Sequence, residues 1–237
     1  MVESVGEQAA TTSEEVPECV LNDTVRNFEP ELEDVFVIIP SGDYQRLIFN
    51  GQELREREER HMNDFRQWIK DQGKSELPQG YDDENRIVLR FLQGMKWDYP
   101  KTYDAIIENS EWRISRDAII NGGADKFKED LELGVLYGFK RDIKMHPVIF
   151  INVRRMLDSK ITLDRTVDMG DFFLNYVITK ACIPGKIESW TCIFDLKGVG
   201  ATEIPRDRIQ GLVKSMNKNY RGRLFRFYAT DVTFVVR

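Results

Sequence analysis

Apolar positions along the chain follow two different spacings. From Glu53, in ELREREERHMNDFRQWIKDQG, the residues Leu54, Met62, Phe65 and Ile69 share one helical face among charges, and Gly73 stops the pattern. A second helix fits DDENRIVLRFLQGM, with Asp82 or Asp83 as its cap and Ile87, Val88, Phe91 and Leu92 as its apolar stripe. Pro100 opens a third, PKTYDAIIENSEWRIS, in which Tyr103, Ile106, Ile107 and Trp112 face inward, and Asn121-Gly122-Gly123 ends the region. These three helices predict a small bundle. Beyond about Tyr137 strands and helices alternate. HPVIFINV (His146 to Val153), SWTCIFDL (Ser189 to Leu196) and RLFRFYATDV (Arg223 to Val232) are strands, separated by the helices DRTVDMGDFFLNYVITKA (Asp164 to Ala181) and PRDRIQGLVKSMNKNY (Pro205 to Tyr220). Strands joined by helical crossovers pair in parallel with helices packed on the sheet, so the second half is α/β.

The start of the chain obeys neither spacing. Residues 1–34 are rich in Glu, Ser and Thr and carry one basic residue, Arg26, which predicts an acidic disordered tail. VFVIIP (Val35 to Pro40) and the turn signal SGDY (Ser41 to Tyr44) predict a short ordered arm over 35–52. The expected organisation is therefore tail 1–34, arm 35–52, helical module 53–135 and α/β lobe 136–237.

Charge narrows the partners. A net charge of −6 leaves no domain-wide basic excess to displace phosphate counterions, which argues against nucleic-acid binding. Cys19, Cys182 and Cys192 have no regular spacing, as expected of reduced thiols in a cytoplasmic protein. The N-terminus lacks the basic and apolar regions of a secretory signal, and no apolar run approaches the roughly 20 residues that span a bilayer. A soluble protein, cytoplasmic and touching membranes at most transiently, is predicted.

CIFDLKGVGATEI (Cys192 to Ile204) raises the possibility of a dinucleotide site, since a strand leads into Gly198-Val199-Gly200. The third glycine is missing and the next helix signal, Pro205, comes too late to set its N-terminus against a pyrophosphate. IPGKIES (Ile183 to Ser189) has a Gly-Lys pair without the rest of a P-loop. His61 and His146 have no clustered partner ligands, and no G-x-S-x-G is present. No catalytic residue, metal, nucleotide or other cofactor is expected, and the chain reads as a non-enzyme.

Four stretches, in order, resemble the CRAL-TRIO lipid-binding family of phosphatidylinositol/phosphatidylcholine, tocopherol and retinaldehyde carriers. ENRIVLRFLQGMKWDYPKTYDAIIENSEWR (Glu84 to Arg113) looks like the family's helical module. HPVIFINV resembles the strand that usually begins Gly-Arg-Pro-Val, with Met145-His146 in place of Gly-Arg. CIFDLKGVG resembles the signature strand and its D-x-x-G turn. NKNYRGRLFRFYATDV (Asn217 to Val232) resembles the Y-P-E-R-L stretch, with Arg221-Gly222 in place of Pro-Glu. The likeness covers roughly Glu53 to Arg237. Only TFVVR follows the last matched strand, where family members continue with a gate helix and a further floor strand, so either the sequence is a fragment or the pocket is built differently.

The resemblance implies a CRAL-TRIO-like βαβ lobe behind a helical module, binding a hydrophobic lipid in an apolar cavity for transfer between membranes or presentation. Expected lining residues are Ile149 and Ile151 on the first strand, Trp190, Cys192 and Phe194 on the second, Phe225 and Phe227 on the last, and Phe172, Phe173 and Tyr176 from the helix. Periodicity alone does not choose between the faces of a strand. Lys96 is the headgroup candidate, left alone because Met95 stands where phosphatidylinositol-binding members have the first cation of an Arg-Lys pair. Leu212 replaces their acidic partner. Trp190 and Cys192 replace the Ser and Thr of phosphatidylcholine-binding members, which points to a less polar lipid. Arg221, Arg223 and Arg226 are the candidate contacts to an anionic membrane. The alternative is a regulatory or protein-interaction module that keeps the fold without a lipid cavity.

Overall fold

Two short helices, α1 (Asp23–Arg26) and α2 (Leu32–Val35), stand where the sequence predicts disorder. They belong to a computed structural model that describes residues 21–81 and 86–232. The rest of the expected tail, the cap candidates Asp82 and Asp83, and residues 233–237 lie outside the described residues. Disorder to residue 34 is thus corrected for 21–34, because the acids there serve as caps and ion-pair partners. Asn22 accepts from the Val25 backbone N–H (3.0 Å), Glu31 and Asp34 form a reciprocal capping box, and Val25 and Val35 are buried.

The arm continues as a hairpin of β1 (Phe36–Ile38) and β2 (Tyr44–Arg46), paired antiparallel across a turn in which Gly42 takes φ +80. Arg46 anchors it to the helical module. Its guanidinium meets the Glu58 carboxylate at 2.6 and 2.9 Å with both side chains fully buried, and the remaining donors reach the carbonyls of Ile48 and Glu53.

The module consists of α3 (Glu56–Asp71), α4 (Ile87–Gly94) and α5 (Tyr99–Ile120). Their predicted stripes meet: Met62, Phe65, Ile69, Val88, Phe91, Leu92, Tyr103 and Ile106 form one buried cluster, joined by Phe49 and Tyr81. Asp98 caps α5 by accepting from the Lys101 backbone N–H (3.1 Å), with Pro100 in the first turn.

A 3-10 turn (Ala124–Phe127) and α6 (Lys128–Glu132) lead into the lobe. It contains β3 (Leu136–Arg141), β4 (Pro147–Asn152), the short α7 (Val153–Asp158), α8 (Leu163–Lys180), β5 (Trp190–Asp195), α9 (Arg206–Asn219) and β6 (Leu224–Thr230). The sheet order is β3-β4-β5-β6, with β3 antiparallel to β4 and the other pairs parallel. Successive crossovers from β4 to β5 to β6 run in one direction across the sheet, so right-handed connections put α8 and α9 on the same face. Gly170 and Gly211 let these helices approach, since an added Cβ would strike Leu212 at the first and Leu163 at the second.

Glu188 ties lobe, module and arm together. It is 1% exposed, and its oxygens accept from the backbone N–H groups of Phe49 (2.9 Å), Asn50 (3.0 Å) and Gly185 (2.7 Å) and from the Arg90 guanidinium.

Candidate functional site

Strand register divides the sheet into two unlike faces. Ile149, Cys192 and Phe227 are aligned across three strands, as are Ile151, Phe194 and Ala229; the alternate rows are Val148, Thr191, Arg226 and Phe150, Ile193, Tyr228.

The first set lies under the helices. Ile149, Ile151, Trp190, Cys192 and Phe194 are buried in one cluster with Met169, Phe172, Val177, Leu212, Met216 and Tyr220. Burial pushes the Cys192 thiol up to about 12, as expected where no water or cation supports a thiolate. These residues, expected to line a cavity, therefore lie in the packed core. Parallel strands joined by right-handed crossovers present this face to α8 and α9. Phe172 stacks on Phe127 (centroids 5.0 Å apart) in the same core, Phe173 is half-buried, and Tyr176 is exposed. Phe227 packs on Phe194 (4.9 Å) but is 49% exposed, because β6 ends the sheet.

The second set is open along its Phe150–Ile193–Tyr228 row, while Val148 and Thr191 are buried. Phe150 and Ile193 are half-buried, and Tyr228 and Phe139 are 44% and 51% exposed. Tyr137 stacks on Phe150 (5.5 Å, 7°), and Phe139 meets the same ring edge-on (5.5 Å), giving the uncovered face an aromatic floor.

At one end of this floor the arm folds over the sheet and encloses a groove of about 540 Å³, within the size range of small-molecule sites. Val37 and Leu47 form its arm wall, Thr191, Phe225, Arg226 and Tyr228 its sheet wall, and the β3–β4 turn its end. Lys144 in that turn holds α2, at the foot of the arm, through ion pairs to Glu33 and Asp34, both at 2.7 Å. His146 stacks on Phe225 (4.2 Å) and presents Nδ1 to Asp142 Oδ2 at 3.0 Å; the same carboxylate accepts from the Thr191 hydroxyl (3.0 Å) and the Lys144 and His146 backbone N–H groups. Burial pushes the Asp142 carboxyl up, but the hydrogen bonds from His146 and Thr191 and the nearby imidazole charge outweigh it and hold the group below the usual carboxylate range.

A depressed folded pKa makes Asp142 stabilising above its unfolded value near 4, a contribution lost as pH falls through the lower folded value. Urea denaturation of wild type and Asp142→Asn should accordingly differ most at neutral pH and converge between about pH 5 and pH 2. A stability difference that stays constant over that window would contradict the assignment.

The remaining candidates are spread out. Lys96 is exposed with φ +54 and lines a different groove, of about 620 Å³, with Asp43, Arg57, Arg90 and Trp97 on the helical module. Arg223 donates to the Glu188 carbonyl (2.9 Å), and Arg221 packs on Gly94, its Cδ 3.1 Å from where a Cβ there would lie. Burial lowers the pKa of both guanidinium groups. The predicted basic run is thus split by the strand and its approach, and Arg226 is its exposed member. Of the candidates read from the sequence, Phe225, expected to line a cavity, and Arg226, expected to meet a membrane, line this groove; Thr191, Tyr228, the His146–Asp142 pair and the arm residues were not among them.

Among the described residues no helix is long and apolar enough to cross a membrane, and no group of three or more His, Cys, Asp or Glu could hold a metal ion. The architecture is a mixed α/β lobe, helix-covered on one face, behind a helical module. Residues 131–237, the sheet lobe with the end of the chain, match the family model of the CRAL/TRIO domain. In fold the chain is similar to the crystal structure of Sfh5, with a TM-score of 0.55 over 75% of this chain and 72% of that one, at 14% identity. No curated protein matches the sequence.

Proposed function

We propose that this chain binds a hydrophobic lipid against the open face of its sheet and carries or presents it without chemical change. The observation that carries this reading is the asymmetry of the lobe: one face is filled by α8 and α9, while the other leaves Phe139, Phe150, Ile193 and Tyr228 uncovered beside the groove. An exposed apolar face of this kind marks an interaction site. Each methylene moved from bilayer to water costs about 0.8 kcal/mol, so two acyl chains impose a barrier on the order of 20 kcal/mol that an apolar floor offsets. On this reading Phe225 belongs to the lipid-facing groove, whereas Ile149, Ile151, Trp190, Cys192 and Phe194, with Phe227 at the sheet edge, support the sheet from behind. Arg226 is the cation left to meet an anionic membrane or headgroup, in a cytoplasmic protein that touches membranes transiently.

The protein-interaction alternative draws on the same burial, because the residues expected to line a cavity are packed. One experiment separates the two. Native mass spectrometry and solvent extraction of the purified full chain should find bound lipid, and incubation with labelled vesicles should load the empty fraction. Protein that is reproducibly empty and takes up no lipid from vesicles overturns the carrier reading and leaves the interaction module.

A further inference from the structure

The groove under the arm holds charged groups of both signs, and their pairing is uneven. Each carboxylate is already engaged: Glu33 and Asp34 with Lys144, and Asp142 with His146 and Thr191. Among the cations, Lys144 is held by those two acids, and Arg141 donates to the carbonyls of Met145 and Ala181, both at 2.7 Å. Arg226 differs from them. It donates to the Tyr228 hydroxyl (3.2 Å) and lies 4.9 Å from the Phe225 ring centroid, with no carboxylate partner among the described residues. Tyr228 shares the open face with Arg226, two residues along β6, and stands beside Ile193 at the start of the aromatic floor.

From this pairing we infer that the site selects a single-chain anionic amphiphile, a long-chain carboxylate, with its head on Arg226 and Tyr228 and its tail along Ile193 and Phe150. The inference rests on the lipid-binding reading above and narrows it to a ligand class. A guanidinium and a phenol side by side present donors that suit a carboxylate. Glu33, Asp34 and Asp142 in the same walls are matched by Arg141, Lys144 and Arg226, so a doubly charged phosphate monoester brings a second negative charge that the walls leave unbalanced. A neutral alcohol accepts from the guanidinium through one uncharged oxygen only, and so gains less from it.

The test uses the full chain and three ligands with the same tail: oleate, oleyl alcohol and oleoyl lysophosphatidate. Each is titrated at low salt and about pH 8, where a monomeric carboxylic acid is ionised. Wild type should bind oleate roughly tenfold more tightly than the alcohol, with lysophosphatidate weaker than oleate. Arg226→Gln, at an exposed position the fold does not depend on, should bring oleate to within about twofold of the alcohol while leaving the alcohol's affinity unchanged. Equal binding of acid and alcohol by wild type, a preference that survives Arg226→Gln, or tighter binding of lysophosphatidate would each overturn the inference while sparing the lipid-binding reading. Failure of all three ligands to bind would bring down both.

Discussion

Replacing Glu188 by alanine is expected to destabilise the protein by about 3–5 kcal/mol, the range found when one partner of a buried charge pair is removed. The carboxylate serves three regions at once: Phe49 and Asn50 at the end of the arm, Gly185 in its own loop, and Arg90 on α4. Arg90 is 3% exposed and has no water to turn to. Burial already pulls its pKa down, the nearby Arg223 charge pulls further, and Glu188 opposes both. Deleting Glu188 therefore leaves Arg90 buried under the like charge of Arg223 with no carboxylate, and three backbone N–H groups without their acceptor. Glu188→Gln keeps the shape but removes the charge and places an amide N–H against donors, so it should recover only part of the loss. Urea denaturation read by tryptophan fluorescence measures both variants. A loss under about 1 kcal/mol for alanine would mean that Arg90 finds another partner and that lobe and module are not joined through this residue.

That junction marks the limit of what one-dimensional pattern reveals. Within the helical module, apolar spacing placed Met62, Phe65, Ile69, Val88, Phe91, Leu92, Tyr103 and Ile106 correctly in a single core, because helix burial leaves a 3.6-residue period. The parallel pairing of β4, β5 and β6 was equally legible from the alternation of strand and helix. Glu188 was not, since its partners lie more than 90 residues away or on backbone atoms that carry no sequence signal. The antiparallel strand β3 was missed for a different reason: LYGFKR has a glycine in its middle and alternates too briefly to stand out. In the expected tail, a count of charges predicted disorder, but the capping box of Glu31 and Asp34 depends on which acid sits three residues from which.

The choice of sheet face was legible only in part. On β5 the helix-covered positions are Trp190, Cys192 and Phe194, and the open ones are Thr191, Ile193 and Asp195; on β6 the open positions include Arg226 and Thr230. Asn152, on the same face of β4, donates to Asp195 at 3.2 Å. The polar members of each alternation therefore mark the side away from the helices, a cue that aromatic content overrode. Trp190 and Phe194 are large because they fill the space beneath α8 and α9, where size is worth most. The open floor uses aromatics too, but mixed with groups that tolerate water.

Adjacent residues on β5 turn this geometry into the second large expected effect, because Cys192 and Ile193 differ by one position and point to opposite faces. Cys192→Asp would set a carboxylate among Met169, Phe172 and Met216 with no partner, in surroundings that already push a thiol up to about 12. The expected cost is several kcal/mol, on the order of the whole stability of a domain this size, so the variant should be largely unfolded at neutral pH. Ile193→Asp places the same charge between Phe150 and Tyr228 on the open face, where water reaches it, and should cost only about 1–2 kcal/mol. Its effect should fall on the ligand instead, since a charge in the middle of the floor meets an alkyl tail and desolvates against it. Circular dichroism on heating and lipid loading from vesicles, measured on both variants, separate the two faces. The expected pattern is a folded Ile193→Asp protein that loads little lipid beside a Cys192→Asp protein that does not fold. If Cys192→Asp stays folded but empty while Ile193→Asp loads normally, the lipid instead enters between the sheet and its helices, and α8 and α9 must move apart to admit it.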